Sequence, residues 1–220
     1  MTMQRYIPKK AKARKKATRL GEQRDLPALN KAKPMAAPLE AGELVLALDP
    51  SSTRTGWAIG KVIAGDAMVV ACGAISRPSK MDWRDGVMAM AVLLESTIRE
   101  CAEALDEEIG PLSRAICEVP GTAQSGRQQK RRASLAVLGP AAGIQIGTMA
   151  RMLPVGECHL VPSDGWCKMK KAGRIKAYTA DLPVSVYDPS KDTGDQDTGD
   201  AIALLRWWTR MQLLHQKTRK

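Results

Sequence analysis

Three short apolar segments open the predicted folded part of the chain, and turn residues separate them. Residues 43–49 are apolar on both faces, which is typical of a central strand. A turn at 50–56 leads into a second apolar segment at 57–62, and a glycine-containing turn leads into a third at 68–75. Because the connections are short, we expect these strands to form an antiparallel meander.

A helical period follows the three strands. Apolar residues recur every three or four positions over 83–108, which predicts a long amphipathic helix. A further strand is expected at 113–118. The segment after it, 133–152, has no charged residue before Arg151 and contains Pro140 and three glycines, so it is too polar for a membrane span and we expect a helix of the domain instead.

The last third of the chain predicts a short strand at 158–161, a basic turn at 166–176 and a helix from about Asp197 to Leu214. Strands alternating with helices indicate an α/β domain. A right-handed crossover helix would let strand 113–118 run parallel to the first strand. We therefore expect a mixed five-stranded sheet, made of an antiparallel meander plus parallel strands and flanked by helices.

Three glycines, Gly139, Gly143 and Gly147, lie four residues apart in the helix predicted within 133–152. On a helix this spacing forms a smooth stripe that another backbone can approach closely. The stripe could pack on the sheet or form a face for self-association. The sequence leaves both interpretations open.

Positive charge is concentrated in the first 40 residues. They hold eleven Lys or Arg against three acidic residues, which gives +8 of the net charge of +11 for the chain. Four prolines and no apolar periodicity predict a disordered basic arm, followed by one folded domain at 41–220. The arm could contact nucleic acid, act as a targeting signal or be a solvated tail.

Cysteine usage bears on the compartment. The five cysteines show no Cys-x-x-Cys spacing, so we expect reduced thiols and a cytoplasmic location. Residues 1–20 hold eight basic and no acidic residues, which also fits an organellar import sequence. The scarcity of serine and the presence of Pro8 argue against import.

Four acidic residues stand at the ends of predicted elements. Asp49 and Glu118 each close an apolar strand, while Asp197 and Asp200 open the last helix and share one of its faces. The carboxyl ends of adjacent parallel strands meet at one edge of a sheet. Carboxylates gathered there would suppress one another's ionisation unless a divalent cation neutralised them. The pattern predicts a metal site, although helix capping is a simpler explanation for the last two acids.

Taken in order, these segments resemble the RuvC-type Holliday-junction resolvases of the ribonuclease-H-like superfamily. Residues 46–59 resemble the first-strand motif of that family, with Ser51 where glycine is usual. Residues 115–118 resemble the fourth strand with its second acid, and 134–143 resemble the helix after it. Residues 197–203 resemble the closing Asp-x-x-Asp-Ala motif.

The resemblance implies a ribonuclease-H-like fold and a homodimeric endonuclease that cuts four-way DNA junctions by paired symmetric nicks. It implies 5′-phosphate and 3′-hydroxyl ends and two Mg²⁺ ions per site, with Mn²⁺ as a substitute. The ligands implied are Asp49, Glu118, Asp197 and Asp200. The lysines implied near the scissile phosphate are Lys168 and Lys176, which match the family positions approximately.

Two basic segments are expected to contact DNA phosphates. Their residues are Arg127, Lys130, Arg131, Arg132, Lys170, Lys171 and Arg174. Some family members carry an aromatic residue three positions after the second acid, where this chain has Gly121. Trp166 could stack on a base, but a tryptophan beside a strand end is more often a core residue.

Two other functions fit the same residues. One is a different ribonuclease-H-like nuclease, which would act on flaps, RNA–DNA hybrids or ribosomal RNA precursors. The other is a branched-DNA-binding module without catalysis, which would use the arm and the basic segments. The resemblance to the resolvases favours the junction endonuclease over these two alternatives.

Overall fold

The computed structural model describes residues 37–109, 112–119, 128–153, 157–163, 166, 169–191 and 196–218. Within these ranges, the side chains of 106–109 and 128–138 are not described. Several residues singled out above lie outside the described ranges. They are most of the predicted arm, Gly121, Arg127 and Lys168.

Five strands form one mixed sheet. They are β1 (Leu44–Asp49), β2 (Arg54–Ile63), β3 (Asp66–Ser76), β4 (Leu112–Val119) and β5 (Cys158–Pro162). Their order across the sheet is β3-β2-β1-β4-β5. The strand pairs β1–β2 and β2–β3 are antiparallel, whereas β1–β4 and β4–β5 are parallel. The predicted meander and the predicted parallel pairing of the first and fourth strands are both confirmed.

In the described part of the chain, four helices flank the sheet: α1 (Trp83–Ile109), α2 (Gln128–Met152), α3 (Lys171–Thr179) and α4 (Asp197–Lys217). The prediction of a turn over 166–176 is wrong for the second half of that segment, because α3 begins at Lys171. Ile175 is buried and Tyr178 packs against the same core cluster, three residues further on. The spacing of Ile175 and Tyr178 is typical of a helix, but the basic residues around them obscure the apolar pattern in the sequence.

The central strand β1 is buried on both faces, as its continuous apolar run predicts. Val45 and Ala47 point to the face covered by α3 and α4, while the three leucines that alternate with them point to the face covered by α1 and α2. Each buried leucine contributes about 2 kcal/mol to folding relative to an exposed one. The end of β1 is therefore fixed between two helical layers.

The glycine stripe of α2 does not pack on the sheet. Among the residues that the structure describes, and apart from the backbone of the helix itself, a β-carbon added to Gly139, Gly143 or Gly147 would find no atom within 4 Å, and all three glycines are exposed. The interpretation of the stripe as a sheet-packing face is therefore wrong. No helix in the described part of the chain is long and apolar enough to cross a membrane.

Residues 37–40, which the sequence assigned to the arm, contact the domain. Leu39 is buried in the core on the α4 side of the sheet. The guanidinium of Arg114 in β4 donates to the carbonyl oxygens of Ala37 at 2.6 Å and Pro38 at 2.8 Å. These hydrogen bonds fix the backbone that leads into β1.

Candidate metal centre

Asp49 is the last residue of β1, and Glu118 is the last residue but one of the adjacent parallel strand β4. The last paired residues of β1 and β4 are Leu48 and Cys117, so each acid lies one residue beyond that pair. Glu118 has a fixed orientation, because the indole Nε1 of Trp166 donates to its Oε2 at 2.9 Å. The two carboxylates thus lie side by side at the carboxyl edge of the sheet.

The first turn of α4 brings two further acids to this edge. Asp197 is 4% exposed and Asp200 is 2% exposed. Gly56 pairs with Asp49 across β1 and β2, and a β-carbon on Gly56 would lie 1.9 Å from the carbonyl oxygen of Asp197. The start of α4 therefore packs directly on β2 beside Asp49.

Two cations of α3 neutralise these acids in part. The Lys171 Nζ lies 2.9 Å from Asp200 Oδ2 and 3.4 Å from Asp197 Oδ1. Arg174 donates to Asp200 Oδ1 through both Nε, at 2.9 Å, and Nη2, at 2.6 Å. Its guanidinium also lies 4.3 Å from the ring centroid of Trp166. The short helix α3 thus presents one ammonium and one guanidinium to the acid cluster.

The four acids act on one another electrostatically. Burial raises the pKa of Asp49 well above its usual value, and the charges of Glu118, Asp200 and Asp197 raise it further. Burial also raises the pKa of Glu118, although the hydrogen bond from Trp166 and the charge of Arg174 oppose that rise. Ionisation of Asp49 at this position is therefore favoured by a neighbouring cation.

Burial alone would lower the pKa of Lys171, but interactions with Asp200, Asp49 and Asp197 outweigh it and raise the pKa. Lys171 is therefore held as an ammonium ion within the cluster. The negative charge of the carboxylates therefore stabilises a cation at the position of the Lys171 Nζ.

The donor set fits a hard divalent cation. Carboxylate oxygens are the ligands that Mg²⁺ and Mn²⁺ prefer, and four carboxylate groups lie near one another at this edge. Among the residues that the structure describes, no three His, Cys, Asp or Glu side chains converge closely enough to hold an ion as they stand. Lys171 and Arg174 instead supply the positive charge that the cluster requires.

The other predicted site residues lie in different places. Lys176 is exposed in the last turn of α3 and makes no contact with the four acids, and Lys170 is exposed just before that helix. Lys171 and Arg174, which are expected from the sequence to contact DNA, both contact the carboxylates. Lys168 and Arg127 lie outside the described residues, and so do the side chains of Lys130, Arg131 and Arg132.

Sequence reasoning missed three features of the centre. It did not place Lys171 and Arg174 on the acids, although their spacing of three residues on a helix would have aligned them. It did not identify Gly56 as the contact for α4. Trp166 was expected to be a core residue, and it is buried, but its indole also holds Glu118.

Comparison with protein-family models and with curated protein sequences gives no match. Among solved structures, Thermus thermophilus RuvC in complex with a Holliday junction substrate is similar, at 10% sequence identity and a TM-score of 0.48. That similarity covers 80% of this chain and 97% of RuvC. The yeast mitochondrial Holliday junction resolvase Ydc2 is similar at 11% identity and a TM-score of 0.52, over 83% of this chain and 86% of Ydc2. The chain therefore has the ribonuclease-H-like fold of the yeast mitochondrial Holliday junction resolvase.

Proposed function

We propose that this protein is a divalent-metal-dependent endonuclease that cleaves branched DNA, with the four-way junction as its substrate. The observation that carries the proposal is the meeting of Asp49, Glu118, Asp197 and Asp200 at one edge of the sheet, where Lys171 already lies as a cation. The fold shared with the yeast resolvase supports the choice of substrate class.

The four carboxylates would hold two Mg²⁺ ions, or Mn²⁺ in their place. Such a pair of ions supplies an activated water and stabilises the leaving 3′ oxygen, which gives 5′-phosphate and 3′-hydroxyl ends. Two contacts of the chain itself prepare the site: Trp166 fixes one oxygen of Glu118, and Arg174 fixes one oxygen of Asp200. Both contacts reduce the reorganisation needed when the ligands assemble.

Lys171 is the lysine that we assign to the scissile phosphate. Its ammonium lies inside the acid cluster, whereas Lys176 lies exposed at the far end of the same helix. When the acids are neutralised by other cations, the ammonium is free to pair with a phosphate oxygen. There it would stabilise the negative charge that develops in the transition state.

A homodimer belongs to the proposal because a four-way junction has two-fold symmetry and paired nicks need two centres. The exposed glycine stripe of α2 offers a face that another helix could approach. Sedimentation analysis of the wild type and of Gly143→Glu tests this assembly. We expect a dimer for the wild type and a monomer for the variant, and a monomeric wild type would contradict it.

A side-by-side cleavage assay tests the proposed activity. The full chain is incubated with a mobile four-way junction, a flap, an RNA–DNA hybrid and a linear duplex, in Mg²⁺ and in EDTA. We expect symmetric nicks on opposing strands of the junction in Mg²⁺ only. Asp49→Asn should abolish cutting and leave junction binding intact. Preferential cutting of the flap or hybrid would assign the protein to the other nuclease class.

A second candidate is a branched-DNA-binding module that does not cut. The ion pairs of Asp200 with Lys171 and Arg174 favour it, because they neutralise an acid without any metal. Titration of the full chain with Mn²⁺ separates the two functions. Binding of Mn²⁺ that is lost in Asp49→Asn supports the nuclease, and an intact protein that neither binds Mn²⁺ nor cuts supports the module.

A further inference from the structure

Three basic residues and one tryptophan lie at the connection between β3 and α1. Lys80, Trp83 and Arg84 are exposed and Arg77 is half-buried, and together we call them the β3–α1 surface. Ser76, the last residue of β3, pairs with Arg54, and the backbone N–H of Arg77 donates to the carbonyl of Thr53 at 2.8 Å. The loop containing Thr53 directly follows Asp49, so this surface lies at the same edge of the sheet as the acid cluster.

The side chain of Arg77 is held against α1. A β-carbon on Gly86 would lie 2.5 Å from both Cγ and Cδ of Arg77. Glycine in the first turn of a helix lowers helix stability relative to alanine. Gly86 therefore creates the space in which the stem of Arg77 lies, and the guanidinium extends from a fixed base.

The guanidinium of Arg77 has no acidic partner in the part of the chain that the structure describes. Two acids occur nearby in sequence, Asp82 and Asp85. Asp82 Oδ1 accepts hydrogen bonds from the backbone N–H groups of Arg84, at 2.6 Å, and Asp85, at 3.3 Å, and so closes the start of α1. A half-buried arginine without a carboxylate is suited to an external anion.

An aromatic side chain accompanies these cations. Trp83 is 36% exposed, while Trp57, Trp166 and Trp208 are each 5% exposed or less. The guanidinium of Arg84 lies 5.5 Å from the Trp83 ring centroid. Arginines that bind phosphates beside an exposed indole that can stack on a base form the usual combination for single-stranded nucleic acid.

We propose that the β3–α1 surface binds the DNA backbone on the α1 side of the cleavage site, with Arg77 on a phosphate and Trp83 on an unpaired base. The choice of DNA as ligand rests on the proposed function. Lys171 lies on the opposite face of the sheet, so the strand would cross the carboxyl edge between two basic regions.

The test measures binding of a fluorescein-labelled four-way junction to the full chain in EDTA, over a range of salt concentrations. Arg77→Ala should weaken binding about tenfold and reduce the slope of log K against log salt by about one. Lys61→Ala is the matched control, because Lys61 pairs with Leu44 at the opposite end of the sheet. We expect no change in slope for that control.

A second variant keeps the test informative if Arg77→Ala does not fold. Gly86→Ala leaves the charge unchanged but displaces the Arg77 stem, so it should weaken junction binding without unfolding the protein. Wild-type slopes in both variants would overturn the inference while leaving the proposed function standing. A wild-type protein that neither binds nor cuts the junction would instead overturn the proposed function itself.

The role of Trp83 has its own measurement. Junction DNA should protect the wild type from acrylamide quenching of tryptophan fluorescence, since Trp83 is the most exposed indole of the described residues. Trp83→Phe should remove most of that protection. Equal protection in the variant would overturn the stacking contact.

Discussion

Gly56 of β2 and Asp197 of α4 are in contact through their backbones. A β-carbon at position 56 would lie only 1.9 Å from the carbonyl oxygen of Asp197 and 2.3 Å from its carbonyl carbon. Because Gly56 also pairs with Asp49, this single contact sets the distance between the first acid and the start of α4. The glycine is required for close approach and not for a special backbone angle.

We expect Gly56→Ala to destabilise the protein by about 3 kcal/mol, because the obstructing atoms belong to a backbone that cannot rotate away. The measurement is urea unfolding followed by circular dichroism. Gly173→Ala in α3 is the matched control, since its nearest neighbour is Met169 Cε at 3.7 Å. That variant should gain about 0.5 to 1 kcal/mol. Equal effects would contradict a steric role for Gly56.

The fold could be predicted from the sequence because each strand has its own apolar run and short turns leave few ways to pair them. β1 illustrates this, since its unbroken apolar run already indicates burial on both faces. The same residues also set the order β2-β1-β4, which places Asp49 beside Glu118. Local patterns determined this half of the candidate site.

The cationic half of the site could not be predicted, because it depends on the placement of a short helix. Lys171 and Arg174 belong to a basic segment whose exposed residues conceal the buried Ile175. Which charged side chain turns inward is decided by packing of α3 against α4, and no local pattern encodes it. The prediction that the α2 glycines pack on the sheet was wrong for a similar reason, because the spacing of the glycines does not specify which surface the stripe faces.

Asp49→Asn is expected to stabilise the metal-free protein. The raised pKa of Asp49 means that the native state binds more protons than the unfolded state between the ordinary value near 4 and the raised one. Stability therefore falls as the pH rises through that window, and the cost is complete once the pH exceeds the raised pKa. Removing the charge should recover on the order of 1 kcal/mol in EDTA.

Thermal unfolding at pH 5 and pH 8, in EDTA and in Mg²⁺, checks this prediction. Mg²⁺ should raise the melting temperature of the wild type more than that of Asp49→Asn, because binding to the native state adds stability. Glu103→Gln, an exposed change on α1, serves as the control. A variant that is less stable than the wild type in EDTA would show that Asp49 is not under repulsion.

The variant Lys171→Ala tests whether the lysine inside the acid cluster, and not Lys176 at the end of α3, contributes to cleavage. We expect a loss of about 100-fold in the single-turnover rate of junction cleavage, because a transition-state cation is removed. The Mg²⁺ concentration for half-maximal rate should fall, since Lys171 no longer competes for the carboxylates. Lys176→Ala is the control and should leave both quantities unchanged. The reverse outcome would assign the phosphate contact to Lys176.

An ion-pair network joins β3 to α4 away from the candidate site. Arg206, which is 8% exposed in its side chain, donates to Asp66 at 2.6 Å and to Asp181 at 2.6 Å, and also to the carbonyl oxygen of Tyr178. Arg210 donates to the same oxygen of Asp66 at 2.7 Å. The network fixes α4 against the strand that leads to the β3–α1 surface.

This network should dominate the loss of stability in acid. Burial alone would raise the pKa of Asp66, but hydrogen bonds from Arg210 and Arg206 outweigh it and lower the pKa, and Arg206 lowers the pKa of Asp181 to about 2. Both acids therefore stabilise the fold above about pH 4 and lose that effect as the pH falls toward 2.

Asp66→Asn removes the acid that the two arginines share, and leaves Arg206 largely buried with Asp181 as its remaining carboxylate. We expect the variant to be less stable by about 1 to 3 kcal/mol at pH 7, because a buried guanidinium loses a charged partner. The difference should shrink as the pH falls below 4, since the wild-type carboxylate is then protonated. Urea unfolding at pH 7, 4 and 2.5 measures it, with the exposed Glu100→Gln as control. A difference that does not depend on pH would mean that Asp66 acts through packing and not through its charge.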